Sequence, residues 1–517
     1  MLFNSYQFVG LYLPIVLIGY YLLIYLKQRR FLFIYLVCTS LVFYGAWNPI
    51  YVLLLIASVL VNFGFGRLIR AARSRERSAW LPLTAGVVFN LGLLGYYKYA
   101  NFFAENYEAL SGQTLDLPHI ILPLAISFYT FQQIAYLIDV SRDRVERASL
   151  WRYTTFVIFF PQLIAGPIVH YKDMVPQFFG RHLGRFGLAH LSVGLTIFAI
   201  GLFKKTVIAD SAALYASPVF DSAAAGNEIG FAQAWTAAIC YTIQLYFDFS
   251  GYSDMAIGLA RMFGIRLPLN FHSPLRAVSI IEYWRRWHMT LQQFIVAYMY
   301  QPLAVALTRR VAEMEMGKWS TFWVVTGLPT VTIFVVIGLW HGAGWTFVVF
   351  GLMHGTYLAV NEFWRTYRRK ARRKDPPGVG SIAAYHGLTL LCVILANVMF
   401  RAESVGDAVA IWAGMVDVST LGSLAALIPV SAADVIAKPL VFALLACLLI
   451  FVFPNTQQIM GRYRPAIDWD RWKHEARPLV SFQWRPTVAG ALFTGTVLYL
   501  GIMAIGNRQS EFIYFNF

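Results

Sequence analysis

Charge is what this chain has least of. Only 13% of its 517 residues are Asp, Glu, Lys or Arg, while 58% are hydrophobic and 16% aromatic, a balance too apolar for a water-soluble core of this length. The acidic side is the thinner one, with 26 Asp and Glu against 42 Lys and Arg and a net charge of +16. The four cysteines, Cys38, Cys240, Cys392 and Cys447, stand singly in apolar runs. They read as small buried hydrophobes, so neither a disulfide framework nor a zinc site is indicated. Internal repeats of the kind that build inverted-repeat transporters are missing, and so is any Gly-x-Ser-x-Gly string. Polar linkers are nearly missing too. The one candidate, 374–382 with Pro376, Pro377, Gly378 and Gly380, divides a body at 1–373 from C-terminal spans at 383–517, all within a single integral membrane domain that carries no large soluble part.

What the chain has is apolar length. Phe8 to Leu26, Phe31 to Ala46, Val52 to Phe65, Leu81 to Tyr97, Leu191 to Phe203, Phe322 to Leu339, Leu388 to Phe400, Pro439 to Val452 and Val488 to Ile505 approach or reach the roughly 20 residues that cross a bilayer. Several are too short to cross alone and predict re-entrant or tilted pieces, whose irregular backbone must line protein or water. The expected fold is an all-α, polytopic, multi-pass membrane protein. The first run lacks a basic leading region and continues into Lys27-Gln28-Arg29-Arg30, so it reads as an anchor with its N-terminus outside and not as a cleaved signal. Basic clusters also fall at Arg67 to Arg77, Arg142 to Arg152, Arg309-Arg310 and Arg365 to Lys374. The positive-inside rule puts them all in the cytoplasm. Scattered between apolar spans, they exclude a nucleic-acid surface.

Two histidines lie in Trp-rich segments of this membrane chain, Tyr283-Trp284-Arg285-Arg286-Trp287-His288 and Leu339-Trp340-His341-Gly342-Ala343-Gly344-Trp345. An imidazole at membrane depth is costly unless it faces a bundle interior or a wet cavity, which makes both candidate site residues. If Glu282 to Leu291 is one helix, Trp284, Trp287 and Leu291 share a face, Glu282, Arg285 and Arg286 cover the other, and His288 lies at the seam. Glu282 is spaced to pair with either arginine. His341 ends an apolar run, and the glycines after it supply backbone at which a helix breaks. His354, thirteen residues on, would point about 220° away from His341 in one unbroken helix. Tyr246 to Asp254 interrupts an apolar stretch with Asp248 and Asp254, and Ser253 or Asp254 is placed to cap a short amphipathic helix ending near Phe263. No His, Asp or Glu pair has the spacing of a known metal site. Phe160 to Ile168, with two prolines and a glycine, reads as a kinked or re-entrant element near the site.

Taken together, these strings resemble the membrane-bound O-acyltransferase family. The resemblance rests on Tyr246 to Asp254, Pro268-Leu269-Asn270-Phe271, the Trp284 to His288 box with Tyr298 to Leu303 behind it, Trp340-His341-Gly342 with Phe350 to Gly355, Phe160 to Ile168 and Lys204-Lys205. It runs in order through most of residues 1 to 400. It is nearest to the bacterial branch that O-acetylates alginate, peptidoglycan and cellulose. The spans after the linker match only in length and hydrophobicity.

The resemblance implies a bundle of about eleven or more transmembrane helices, with re-entrant and broken pieces around a funnel. It makes His341 the characteristic catalytic residue and His288 its polar partner. It implies acetyl-CoA as a donor substrate arriving from the cytoplasm, no bound cofactor, a bacterial inner-membrane location and an exopolysaccharide such as alginate as the final acceptor. A neutral imidazole takes a proton from an incoming hydroxyl, with His288, Trp284, Trp340 or backbone N–H groups holding the thioester carbonyl. A covalent acetyl-histidine is the other chemical option. Lys204, Lys205, Arg285 and Arg286 are candidate contacts for donor phosphates, or else interface anchors. Asp248 and His354 complete the candidate substrate-binding set. With no Gly-x-Ser-x-Gly string and no sizeable outer domain, a separate periplasmic acetyltransferase of the SGNH type is the expected partner. Two rival functions remain in play: an acyltransferase of the same fold acting on lipid or protein, and a transporter without chemistry.

Overall fold

The computed structural model describes residues 1–28, 31–115, 120–180, 187–370, 378–420, 430–506 and 512–513. Among them there is no strand. Among the described residues six helices are long and apolar enough to cross a membrane: Phe8–Tyr25, Pro49–Ser74, Leu188–Ala224, Lys318–His341, Val379–Arg401 and Val488–Ile505. Shorter apolar helices accompany them at Leu32–Gly45, Val405–Val416 and Pro439–Phe451. Local chemistry sets several starts. Asn48 accepts the Ile50 N–H ahead of Pro49, and Thr487 accepts the Gly490 N–H ahead of Val488, each satisfying a donor that a helix start leaves open.

A 32-residue helix, Phe231–Met262, forms the centre, and its residues from Cys240 to Met262 are all buried. The Leu188–Phe203 helix crosses it at glycines. A Cβ at Gly201 would meet the Gly251 carbonyl oxygen at 2.6 Å, and one at Gly258 would meet the Gly194 oxygen at 2.6 Å, so the two backbones approach as small residues allow in membrane bundles. This crossing sets the register that later brings Lys204 and Lys205 against the carboxylates of the central helix.

The central helix overturns one expectation. Tyr246 to Asp254 does not interrupt it, and neither Ser253 nor Asp254 caps a short helix. The helix runs straight through, although its end at Met262, before Phe263, falls where expected. No break is needed because the two carboxylates are met sideways by lysines instead of by water. A second correction concerns Glu282 to Leu291. The helix there is Ile280–Arg286, and a new one starts at Met289. Between them the Arg286 carbonyl accepts the His272 N–H at 3.0 Å, and the Met289 N–H donates to the Asn270 carbonyl at 2.9 Å. Pairing with a segment distant in sequence thus replaces the helical bonds. A third correction is Cys38, which is exposed on an outward face, while Cys240 is buried and Cys392 and Cys447 are half-buried.

The glycine break after His341 is present: Gly342 is extended and the next helix begins at Trp345. The Leu328–His341 and Trp345–Lys370 helices then pack as a hairpin, its tightness fixed by Gly351, where a Cβ would lie 2.3 Å from the Phe334 oxygen. Phe160 to Ile168 is the short irregular piece expected, with a four-residue helix at Phe160–Leu163 and the Ile168 N–H donating to Thr290 Oγ1 at 3.0 Å, next to His288. Arg70 and Arg73 donate to the carbonyls of Val145 and Ser141. Two of the basic clusters therefore share one face. Arg29, Arg30 and positions 371–377 of the last basic cluster and the linker lie outside the described residues.

Candidate active site

Three buried groups meet at the tip of the hairpin. His341, the last residue of its helix, is 2% exposed. Its ring lies edge-on to Trp340, Phe400 and Phe350, with centroids 4.9, 5.4 and 6.1 Å away. His288 is 1% exposed and sits 6.3 Å from the same Trp340 ring. The two imidazoles thus flank one indole. Phe131 stacks on that indole at 5.1 Å, and Phe249 closes on His288 at 4.7 Å. Among the described residues the buried Trp340 Nε1–H has no acceptor, which leaves an unspent donor beside both histidines.

His288 is held by its backbone and by one side chain. It adopts a left-handed conformation, φ 42° and ψ 53°, which residues bearing a Cβ visit rarely and which clusters at functional sites. Asn270 fixes the ring. Its Nδ2 donates to Ser253 Oγ at 3.0 Å, so its Oδ1 faces Thr290 Oγ1 at 2.8 Å and His288 Nδ1 at 3.1 Å. That network assigns the proton to Nδ1 and makes Nε2 the acceptor nitrogen. Asn270, Ser253 and Thr290 form the support of His288, a role that pattern reading did not give them, although the Tyr246 to Asp254 and Pro268 to Phe271 strings contain two of the three.

The other candidates fall into separate groups. Trp284 Nε1 donates to His354 Nδ1 at 3.1 Å, and Phe350 stands between His354 and His341, 4.7 and 6.1 Å from their rings. Arg286 pairs with Glu282 at 2.5 Å, as the spacing suggested. Arg285 pairs instead with Glu475 and lies over the Trp472 ring. Lys204 and Lys205 are not interface anchors, because both are buried within the bundle. Lys204 pairs with Asp254 at 2.7 Å, and Lys205 bridges Asp248 at 2.7 Å and Asp210 at 2.8 Å. Thr456 and Gln457 also donate to Asp254, and the Ile513 N–H donates to Asp248. The C-terminal part, silent as sequence, thereby clamps the buried charges. A cavity of about 290 Å³ borders this network, with Lys204, Tyr246, Arg276 and Thr456 in its wall.

Sequence reasoning also missed a cluster one aromatic file away. Tyr298 Oη donates to Asp139 at 2.9 Å and lies 3.1 Å from His170 Nδ1; Phe294 and Phe131 continue the file to Trp340. Among the described residues no group of three His, Cys, Asp or Glu side chains is placed to hold a metal ion.

Known proteins place this geometry. Residues 141–400 match the membrane-bound O-acyltransferase family. The peptidoglycan O-acetyltransferase of Helicobacter pylori is 38% identical over 443 residues, 80% of each chain. The chain belongs to the membrane-bound O-acyltransferase family. The probable alginate O-acetylases AlgI of Azotobacter vinelandii and Pseudomonas aeruginosa are each 38% identical, over 80% and 78% of this chain and 78% and 72% of theirs. As a member of that family the chain is a multi-pass membrane O-acyltransferase. The family match takes in both histidine segments and the central helix. It leaves out the C-terminal groups that hold Asp254 and Arg285.

Proposed function

We propose that this acyltransferase takes acetyl from cytoplasmic acetyl-CoA and passes it across the bacterial inner membrane for O-acetylation of an exopolysaccharide such as alginate. The observation that carries the reading is the His341–Trp340–His288 group at a helix break inside a membrane bundle, in a chain that is 38% identical to named O-acetylases. The acceptor hydroxyl gives its proton to His341 as its oxygen bonds the acetyl carbon. The carbonyl electron pair moves onto oxygen, where the Trp340 Nε1–H receives it. Collapse breaks the C–S bond, and the departing sulfur takes the proton back from the imidazolium. His288, held by Asn270, presents Nε2 to orient the incoming hydroxyl.

A charged carrier does not cross the bilayer but a neutral acetyl group in a tunnel does, so the donor is placed on the side of the basic clusters and the acceptor opposite, with the N-terminus outside. The receiving hydroxyl belongs to a periplasmic SGNH-type acetyltransferase docked over the outer mouth. Peptidoglycan is the second reading for the final acceptor, favoured by equal identity to the Helicobacter pylori enzyme. Purified protein incubated with radiolabelled acetyl-CoA, with and without the periplasmic partner and each polymer, tests the scheme. Label on the partner and then on polymer supports it; polymer labelled at the cellular rate without a partner refutes the relay. In intact cells, thiol reagents confined to the periplasm should miss cysteines placed at Arg73 and Arg369.

A further inference from the structure

The Trp80–Leu94 helix continues through a π-helical turn, Gly95–Tyr99, into Ala100–Ser111. Such turns re-aim side chains and recur at functional sites. Here the turn aims Lys98 and Tyr99 together at the end of the His341 helix. Tyr99 Oη donates to the Leu339 carbonyl at 2.8 Å, and the Lys98 ammonium donates to the Trp340 carbonyl. Both carbonyls belong to the last helical turn, which has no intrahelical donors left to offer them.

Capping accounts for Tyr99 but not for a charge at Lys98. A neutral hydroxyl serves the carbonyl next door, whereas Lys98 is 8% exposed and, among the described residues, no carboxylate lies within ion-pair distance of it. A buried ammonium without a counter-ion destabilises a fold, and in a membrane such a group marks function. Its surroundings say which. The ammonium also lies 5.8 Å from the centroid of the Trp340 ring, the ring that carries the unspent N–H and neighbours both histidines.

We infer that Lys98 is a positioning residue for acyl transfer. It fixes the main chain and ring of Trp340, and through them the neighbouring His341, and it sets one uncompensated positive charge beside the place where the acyl oxygen and the leaving sulfur become negative. The inference rests on the proposed roles of His341 and Trp340. Its test uses the full-length protein reconstituted with its periplasmic partner and follows coenzyme A release from acetyl-CoA. Lys98→Met should lower kcat about tenfold or more with the donor KM within about twofold, because the charge acts on the transition state and not on donor binding. The unfolding midpoint should stay level or rise, since a costly charge is removed, and Lys98→Arg should recover part of kcat. A Lys98→Met protein with wild-type kcat overturns the inference, and so does one whose kcat and midpoint fall together, which would make Lys98 a structural cap. His341→Ala run in parallel separates the two claims: full activity there removes the site reading, whereas an inactive His341→Ala beside a fully active Lys98→Met removes only Lys98.

Discussion

Two of the polar clusters buried among the described residues are built on opposite principles. Around the central helix, Lys204 and Lys205 face Asp210, Asp248 and Asp254, each within 2.8 Å of a partner. Around Trp340, His288 and His341 are surrounded by aromatic rings. The charged cluster is cross-bridged and spans three parts of the chain, including the C-terminal Thr456, Gln457 and Ile513. The aromatic one keeps an indole N–H in hand at a point where a helix ends. Charges bridged by ion pairs hold helices together, whereas an indole N–H left over at a helix break is available to a substrate.

The comparison breaks if the charged cluster is dispensable for folding. Lys205→Met should remove the cation that bridges Asp210 and Asp248 and cost about 3–5 kcal/mol, seen as loss of monodisperse protein in size-exclusion chromatography of detergent extracts. Adding Asp248→Asn should restore part of that yield while leaving the turnover of the folded fraction intact. A well-folded Lys205→Met protein that is inactive would instead move Lys205 into the chemistry.

Substitutions in the aromatic cluster should do the reverse, sparing the fold and removing rate. Trp340→Phe keeps the ring and deletes the N–H, with an expected fall in kcat of about 10²-fold and little change in melting temperature. His288→Ala should act more mildly, and His288→Gln should recover part of the activity because an amide oxygen accepts as Nε2 does. Wild-type acetylation by His288→Ala would make that histidine a packing group.

The smallest expected effect lies outside the spans. His272, in the loop after the central helix, contacts the Glu475 carbonyl and is packed near Trp469 and Trp472. Burial lowers its pKa from 6.5 to about 4, so the folded protein keeps it neutral where the unfolded chain would protonate it. Its contribution is fully present above pH 6.5 and is lost as pH falls toward 4. Thermal unfolding between pH 7 and 4.5 should show a steeper decline for wild type than for His272→Gln.

How much of this was legible in the sequence depends on how local each cause is. Val488–Ile505 begins and ends where its hydrophobicity does, and the break after His341 is signalled by the glycines beside it. The break at His288 is not local: Asn270 and His272 impose it from a segment 18 and 16 residues back, so helical periodicity wrongly ran Glu282 to Leu291 as one helix with His288 at its seam. Lys204-Lys205 was noticed, but apolar patterning does not say whether a charge points at the interface or into the bundle. That followed only from glycine contacts between two helices. Lys98 gave no signal at all, because a lone lysine in an apolar run looks the same whether it snorkels or caps a distant helix.

The most direct test of the central claim is acetylation by His341→Ala, compared with wild type at equal amounts of folded, membrane-inserted protein and with the same labelled acetyl-CoA and partner. Loss of a general base lowers rate by roughly 10²- to 10⁴-fold, and removing a buried polar ring should leave the melting temperature level or slightly higher. That pairing of lost turnover with a preserved fold is the predicted result. Wild-type acetylation by His341→Ala would contradict it and move the chemical centre away from the Trp340 pocket.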